Sequence, residues 1–145
     1  MNQQVFLGQV SAAGLLLTIS ALFYSRVFSG PGWIPPVVGA VLLAFAAAAA
    51  LSRTSMGNIA RTIALAVLGV LFVVLTVILP GTSFGGLGDI GSALVGSTVE
   101  GWRNTLAETL PINTAAVEAV GFVTVGAWIT GTATGVFLAL SLIHI

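Results

Sequence analysis

Residues 59–79 read IARTIALAVLGVLFVVLTVIL, and this run decides the class of fold. Apart from Arg61 and Thr62 at its start and Thr76 near its end, it is almost entirely Ala, Val, Leu, Ile and Phe. An α-helix of about 20 apolar residues crosses a bilayer core of about 30 Å. The run therefore predicts a transmembrane helix, and Pro80 stops it.

The rest of the 145-residue chain has the same character. Hydrophobic residues make up 57% of it and charged residues 6%, with a mean hydropathy of +1.14. A soluble domain carries about 25% charged residues, so this chain cannot build a polar shell. Four arginines balance four acidic residues, which gives no indication of a nucleic-acid partner. The absence of cysteine excludes disulfides, thiolate metal sites and cysteine nucleophiles within these residues.

Three further runs approach or exceed the length of a membrane span. The first of these runs carries no charge before Arg26. The second has two prolines in its first turn, where a missing N–H costs least. The last is rich in Gly and Thr. A cleaved signal peptide is disfavoured because residues 1–4 lack a basic side chain. We predict an all-α membrane protein of about four transmembrane helices, with spans at about 5–28, 33–51, 59–79 and 115–140.

The orientation depends on few charges. Arg53 and Arg61 flank the short loop between the second and third spans, which the positive-inside rule places in the cytoplasm. The N-terminus is then cytoplasmic, and residues 29–36 and 80–113 lie outside. Arg26 falls on the outer side, where its long side chain can reach the lipid headgroups.

The long outer segment contains a second kind of helix pattern. From about Ile90 the apolar residues recur at steps of three or four, which predicts an amphipathic helix over about 90–110. This helix either lies in the plane of the headgroups or packs over the outer mouth of the bundle, and the sequence leaves both open. The apolar face holds Val95, Val99, Trp102, Leu106 and Leu110, and the far side holds Ser97, Glu100, Asn104 and Glu108.

Two glycine patterns in the outer segment resemble catalytic motifs. Residues 81–85, GTSFG, match the nucleophile elbow of hydrolases, which needs a strand-to-helix turn and an oriented base. The only histidine, His144, is expected on the opposite side of the membrane. Residues 86–91 match the dinucleotide fingerprint G-x-G-x-x-G, but no strand precedes them. We interpret the first pattern as a structural turn and the second as flexible glycines. We expect no catalytic, cofactor-binding or metal-binding residue.

The fourth predicted span offers little chemistry and one packing signal. Glu118 lies near its outer end, where a carboxylate suits the positive end of the helix dipole. A charge at mid-bilayer costs at least about 2.5–3.5 kcal/mol, and ionisable residues within the predicted spans are very few, which disfavours transport. Gly131 and Gly135 form a small-xxx-small pair, which predicts close helix packing within the bundle or towards an absent helix or partner.

Several short segments resemble a known family. They are similar to the N-terminal membrane domain of bacterial transglutaminase-like membrane proteins of the TgpA type, especially actinobacterial members. The resemblance covers the chain to about Leu140. It is carried by residues 27–37 (VFSGPGWIPPV), 79–82 (LPGT), 87–90 (LGDI), 99–103 (VEGWR) and Pro111.

The resemblance implies a multi-pass protein of the bacterial plasma membrane. In that family the membrane domain anchors an extracytoplasmic cysteine-type enzyme domain with a Cys-His-Asp triad, no member of which can be assigned to these residues. The implied partners are the lipid bilayer and further transmembrane helices of the same protein.

The last five residues bear on which of two functions the sequence predicts. Residues 141–145, SLIHI, resemble the end of a truncated reading frame, so we expect a fragment with a non-native tail. The alternative is a complete small four-helix membrane protein that acts as an assembly scaffold or a homo-oligomeric pore. A longer reading frame in the genome would distinguish a fragment from a complete small protein.

Overall fold

The computed structural model describes residues 3–81, 87–107, 112–113 and 117–143. It confirms an all-α membrane protein with a fifth helix in the long loop. Four helices are long and apolar enough to cross a membrane: Gly8–Arg26, Ile34–Leu51, Asn58–Ile78 and Val117–Ala139.

The first two spans are simple helices. α1 is Gln3–Leu22 and continues as one 3-10 turn, Phe23–Arg26. α2 is Ile34–Leu51 and begins with prolines in its first turn, as predicted. The first predicted span reached Phe28, which is wrong by two residues, because Phe28 belongs to a short strand. A run of apolar residues alone does not separate the end of a helix from a short strand.

The third span and the loop helix each contain a π-helical turn. The third helix consists of α3 (Asn58–Val73), the π turn Val74–Ile78 and α4 (Leu79–Gly81). The loop helix consists of α5 (Leu87–Val95), the π turn Gly96–Glu100 and α6 (Gly101–Ala107). The last span, α7, is Val117–Ile143 and continues three residues beyond its predicted end.

α7 packs along α2 through the glycine pair found in the sequence. A Cβ atom at Gly135 would lie 2.7 Å from the carbonyl oxygen of Phe45 and 2.8 Å from the Cβ of Ala48. A Cβ at Gly131 would collide with the carbonyl oxygen of Val41. Only glycine allows the two backbones to approach so closely, and this approach gives van der Waals contact that lipid cannot replace. The pair therefore packs within the bundle.

The interior of the bundle is filled by apolar side chains from α1, α2, the third helix and α7. Ser97 and Thr124 are the polar side chains buried in the described part of the chain. Each donates a hydrogen bond to a carbonyl of its own helix, Ser97 to Ala93 at 2.8 Å and Thr124 to Val120 at 2.7 Å. Neither hydroxyl needs a partner across the bundle.

A two-residue parallel strand pair closes the end of the bundle that the positive-inside rule predicts to lie outside. β1 (Phe28–Ser29) pairs with β2 (Ile112–Asn113), with Phe28 opposite Ile112. The amide of Ile112 donates to the carbonyl of Val27 at 2.7 Å, and the ring of Phe28 stacks on Trp33 at 6.1 Å. We call these strands and Trp33 the outer joint. The sequence did not predict it, because two residues per strand produce no periodicity.

Candidate functional site

The two glycine patterns that resemble catalytic motifs, at residues 81–85 and 86–91, belong to helices wherever the structure describes their residues. Gly81 ends α4, and residues 82–86 lie outside the described part of the chain, as does His144. Gly88 and Gly91 lie within α5, and a Cβ at either would meet nothing within 4 Å. The described element that precedes α5 is a helix, whereas a dinucleotide fingerprint follows a strand.

Glu118 lies at the junction between α7 and the loop helix. It is half-buried in the first turn of α7, and its Oε1 would lie 3.8 Å from a Cβ at Gly96. This is the position predicted for it, at the helix end whose dipole favours a carboxylate. Within the described ranges, no group of three or more His, Cys, Asp or Glu side chains could hold a metal ion.

The loop helix packs against α7 through small residues. A Cβ at Gly121 of α7 would lie 2.6 Å from the Oγ of Ser97 and 3.7 Å from Val77, so the π turns of both helices meet at this glycine. The ring of Trp102 contacts that of Phe122 edge to face at 5.6 Å. Ser97, which was predicted on the face opposite the apolar stripe, is 1% exposed, so this face packs against α7.

The predicted apolar stripe of the loop helix is largely exposed, although the ring of Trp102 also contacts Phe122 of α7. Val95, Val99 and Trp102 are 62%, 60% and 53% exposed. The Leu106 side chain and residue 110, which complete the stripe, lie outside the described part. The loop helix therefore docks on the bundle with its small residues and presents its apolar residues outwards, as a helix in contact with lipid does.

A second contact of α7, with the third helix, is made by one large side chain. The indole Nε1 of Trp128 donates a hydrogen bond to the carbonyl of Leu65 at 3.2 Å. The ring lies directly over Gly69, where a Cβ would be 2.6 Å from Nε1, and its centroid is 5.6 Å from that of Phe72. Trp128 is 7% exposed and holds the two helices together at this level.

Two cavities flank Trp128 on the surface of the bundle, between α7 and the third helix. One has a volume of about 530 Å³ and extends from Asn58 to Ala66 along the third helix. The other has a volume of about 370 Å³ and extends from Ala66 to Val73, where the loop helix borders it. Because both cavities are lined by Ala66, Trp128 and Ile129, they form one surface groove, which we call the α3–α7 groove.

The polar groups of the groove are concentrated at one end. Asn58, Arg61, Thr62 and Thr132 line the larger cavity. The smaller cavity is lined by apolar residues except for Thr98, whose hydroxyl donates to carbonyls of its own helix. The groove therefore changes from polar to apolar along its length.

Two polar atoms at the polar end have no hydrogen-bond partner. The Nη2 of Arg61 donates to the carbonyls of Thr54 at 3.4 Å and Met56 at 3.2 Å, but its buried Nε makes no hydrogen bond. The buried Oγ1 of Thr132 also makes none. In contrast, the hydroxyls of Thr124, Thr130 and Thr134 on the same helix all donate to the carbonyl four residues earlier.

The sequence did not identify this groove. Arg61 was used only as a topology signal, and Thr132 was one threonine among several. Arg61 and Thr132 are 71 residues apart, and antiparallel packing brings them to one cavity.

Comparison of the chain with known protein families, with curated proteins and with solved structures finds no match.

Proposed function

We propose that the chain is a non-catalytic membrane anchor and scaffold that holds an extracytoplasmic, transglutaminase-like enzyme domain at the bacterial plasma membrane. The observation that carries this proposal is the apolar, closely packed interior of the bundle. Ser97 and Thr124, the buried polar side chains of the described part, are bonded within their own helices. Such an interior supports a structural role, because a transport path needs ionisable or hydrated groups inside the membrane.

The outer joint supports the same proposal. It fixes the end of α1 and the start of α2 to the segment that leads into α7, through Phe28, Trp33 and Ile112, which are 3%, 1% and 1% exposed. Two of these residues belong to the 27–37 run that carries the family resemblance. A scaffold that positions an external domain needs a rigid outer end, and the joint provides one.

The anchor function is tested on the intact gene. We expect its reading frame to continue into an external domain with a Cys-His-Asp triad. Removal of residues 1–140 should then release that domain from the membrane with its activity retained, and an unrelated four-helix anchor should restore membrane attachment. A native stop codon directly after Ile145 would contradict the proposal and favour the small scaffold or pore.

The scaffold function is tested at the outer joint. Trp33→Ala should increase hydrogen exchange in residues 27–33 and 112–113, because the ring that stacks on Phe28 is removed. Trp102→Ala is the matched control, since this ring is 53% exposed and lies outside the joint. Equal exchange in the two variants would show that the joint does not stiffen the outer end.

The proposed orientation places the N-terminus and the 52–57 loop in the cytoplasm. Arg53 and Arg61 flank that loop, and the outer joint lies at the other end of the bundle. A cysteine at exposed Ala107 should react with an impermeant thiol reagent from outside intact cells. A cysteine at exposed Ser55 should react only after permeabilisation. The reverse result would invert the topology.

A further inference from the structure

The α3–α7 groove has the polarity of a phospholipid. Arg61 and Thr132 are among the residues that line its larger cavity, and apolar residues such as Val70 and Val73 line its smaller cavity. Arg61 is the charged residue among those that line the two cavities. We propose that the groove binds one anionic phospholipid, with its phosphate at Arg61 and Thr132 and an acyl chain along the groove towards Val73.

The length of the groove matches one lipid leaflet. Twelve residues separate Arg61 from Val73, which corresponds to a helical rise of about 18 Å. Half of a hydrocarbon core of about 30 Å is about 15 Å. An acyl chain whose headgroup lies at Arg61 therefore extends along nearly the whole groove. The lipid belongs to the leaflet on the Arg61 side of the bundle.

The unpartnered polar atoms favour a phosphate as the headgroup. The Nε of Arg61 is a hydrogen-bond donor, and the hydroxyl of Thr132 can donate as well. Both atoms are buried and belong to side chains that line the same cavity. Binding of a phosphate there requires each side chain to turn its donor towards the cavity. A phosphate oxygen accepts from either donor, and a guanidinium–phosphate hydrogen bond is charge-assisted and strong. An apolar helix offers no such acceptor, since its carbonyls are bonded internally.

Trp128 is a natural reporter of this site because it lines both cavities. The experiment uses the full chain with Trp102→Phe, reconstituted into vesicles of phosphatidylcholine and phosphatidylglycerol with matched chains. One lipid at a time carries brominated acyl chains, which quench tryptophan fluorescence on contact. The remaining Trp33 is buried in the outer joint and contributes a constant fluorescence. This contribution is measured in a variant that carries Trp128→Phe in addition to Trp102→Phe.

We expect brominated phosphatidylglycerol to quench Trp128 at an about fivefold lower mole fraction than brominated phosphatidylcholine, the preference that one arginine near an anionic headgroup provides. Arg61→Gln should remove this preference. Arg53→Gln should retain it, because Arg53 lies in the loop that precedes α3 and does not line the groove. Ala133→Phe, at an exposed position that lines the larger cavity, should reduce quenching by both lipids.

Three results would overturn the proposal. Equal quenching of the parent protein by the two lipids would show that no headgroup is recognised. A preference that survives Arg61→Gln, or is lost equally in Arg53→Gln, would assign it to the general surface charge. Protection of Trp128 from both lipids would show that another helix or a second copy of the chain covers the groove.

Discussion

α7 contacts its two neighbouring spans in opposite ways. Against α2 it presents Gly131 and Gly135, so that its backbone lies directly on the carbonyls of Val41 and Phe45. Against the third helix it presents Trp128, which makes one strong local contact and leaves cavities on both sides of the ring. The first interface is continuous and excludes lipid, whereas the second is discontinuous and opens a groove to it.

The difference shows how packing decides function in a membrane protein. Because lipid tails are as apolar as the helix surfaces, no hydrophobic effect drives helices together in the bilayer. Small residues therefore produce stable contact over a long distance, and a single large residue produces contact at one level only. The same helix thus has a face that supports the fold and a face that is available for a ligand.

Trp128→Ala tests the single large contact and should have the largest effect. The substitution removes a nearly buried ring, its hydrogen bond to Leu65 and its contact with Phe72, and should lower the free energy of unfolding by about 3–5 kcal/mol. Titration of the purified protein from mild detergent into SDS measures this. Ile129→Ala, at the adjacent and 62% exposed residue, is the control. A similar loss in both variants would mean that Trp128 does not hold the third helix.

Gly131→Ala tests the continuous interface. The added methyl collides with the carbonyl of Val41, which should destabilise the protein by about 1–3 kcal/mol. Gly126→Ala is a matched control on the same helix, because its Cβ meets nothing within 4 Å. There the higher helix propensity of alanine should stabilise by about 0.5–1 kcal/mol. The same SDS titration should give opposite signs, and equal signs would contradict the α2–α7 packing.

The spans and the glycine pair could be predicted because they depend on local properties of the chain. An apolar run of sufficient length has one stable form in lipid, which is a helix, and residues 34–51 and 58–78 follow the predictions to within about a residue. The small-xxx-small spacing of Gly131 and Gly135 places both on one face of the helix. These signals require no knowledge of a neighbouring helix.

The site and the docking of the loop helix could not be predicted in the same way. Ser97 was placed on the face opposite the apolar stripe, but the pattern does not show that this face packs on the bundle. The small side chain fits there against Gly121, which lies 24 residues away. The groove depends on where Arg61 and Thr132 meet across two helices. Such contacts are fixed by tertiary packing, and a hydrophobic pattern contains no information about which faces meet.

Gly121→Ala tests the third contact of α7, with the loop helix. The new methyl would lie 2.6 Å from the Oγ of Ser97, so we expect a loss of about 1–2 kcal/mol. The loss should be smaller in a Ser97→Gly background, with a coupling energy of about 1 kcal/mol in a double-mutant cycle. Gly91→Ala, at an open position of the same loop helix, should show no coupling to Gly121→Ala. Strict additivity for Ser97 and Gly121 would show that they are not in contact.

Thr132→Val has the smallest expected effect and sharpens the contrast between the two faces of α7. Valine keeps the shape of the side chain and removes a buried hydroxyl that has no partner, so the protein in lipid-free detergent should gain about 1 kcal/mol. Thr124→Val, on the packed side of the helix, removes a satisfied hydroxyl and should cost about 0.5–1 kcal/mol. Addition of phosphatidylglycerol should stabilise the parent protein more than Thr132→Val, because the hydroxyl then has a phosphate partner. If the lipid stabilised both proteins equally, Thr132 would not contact the phosphate, and Arg61 alone would bind the headgroup.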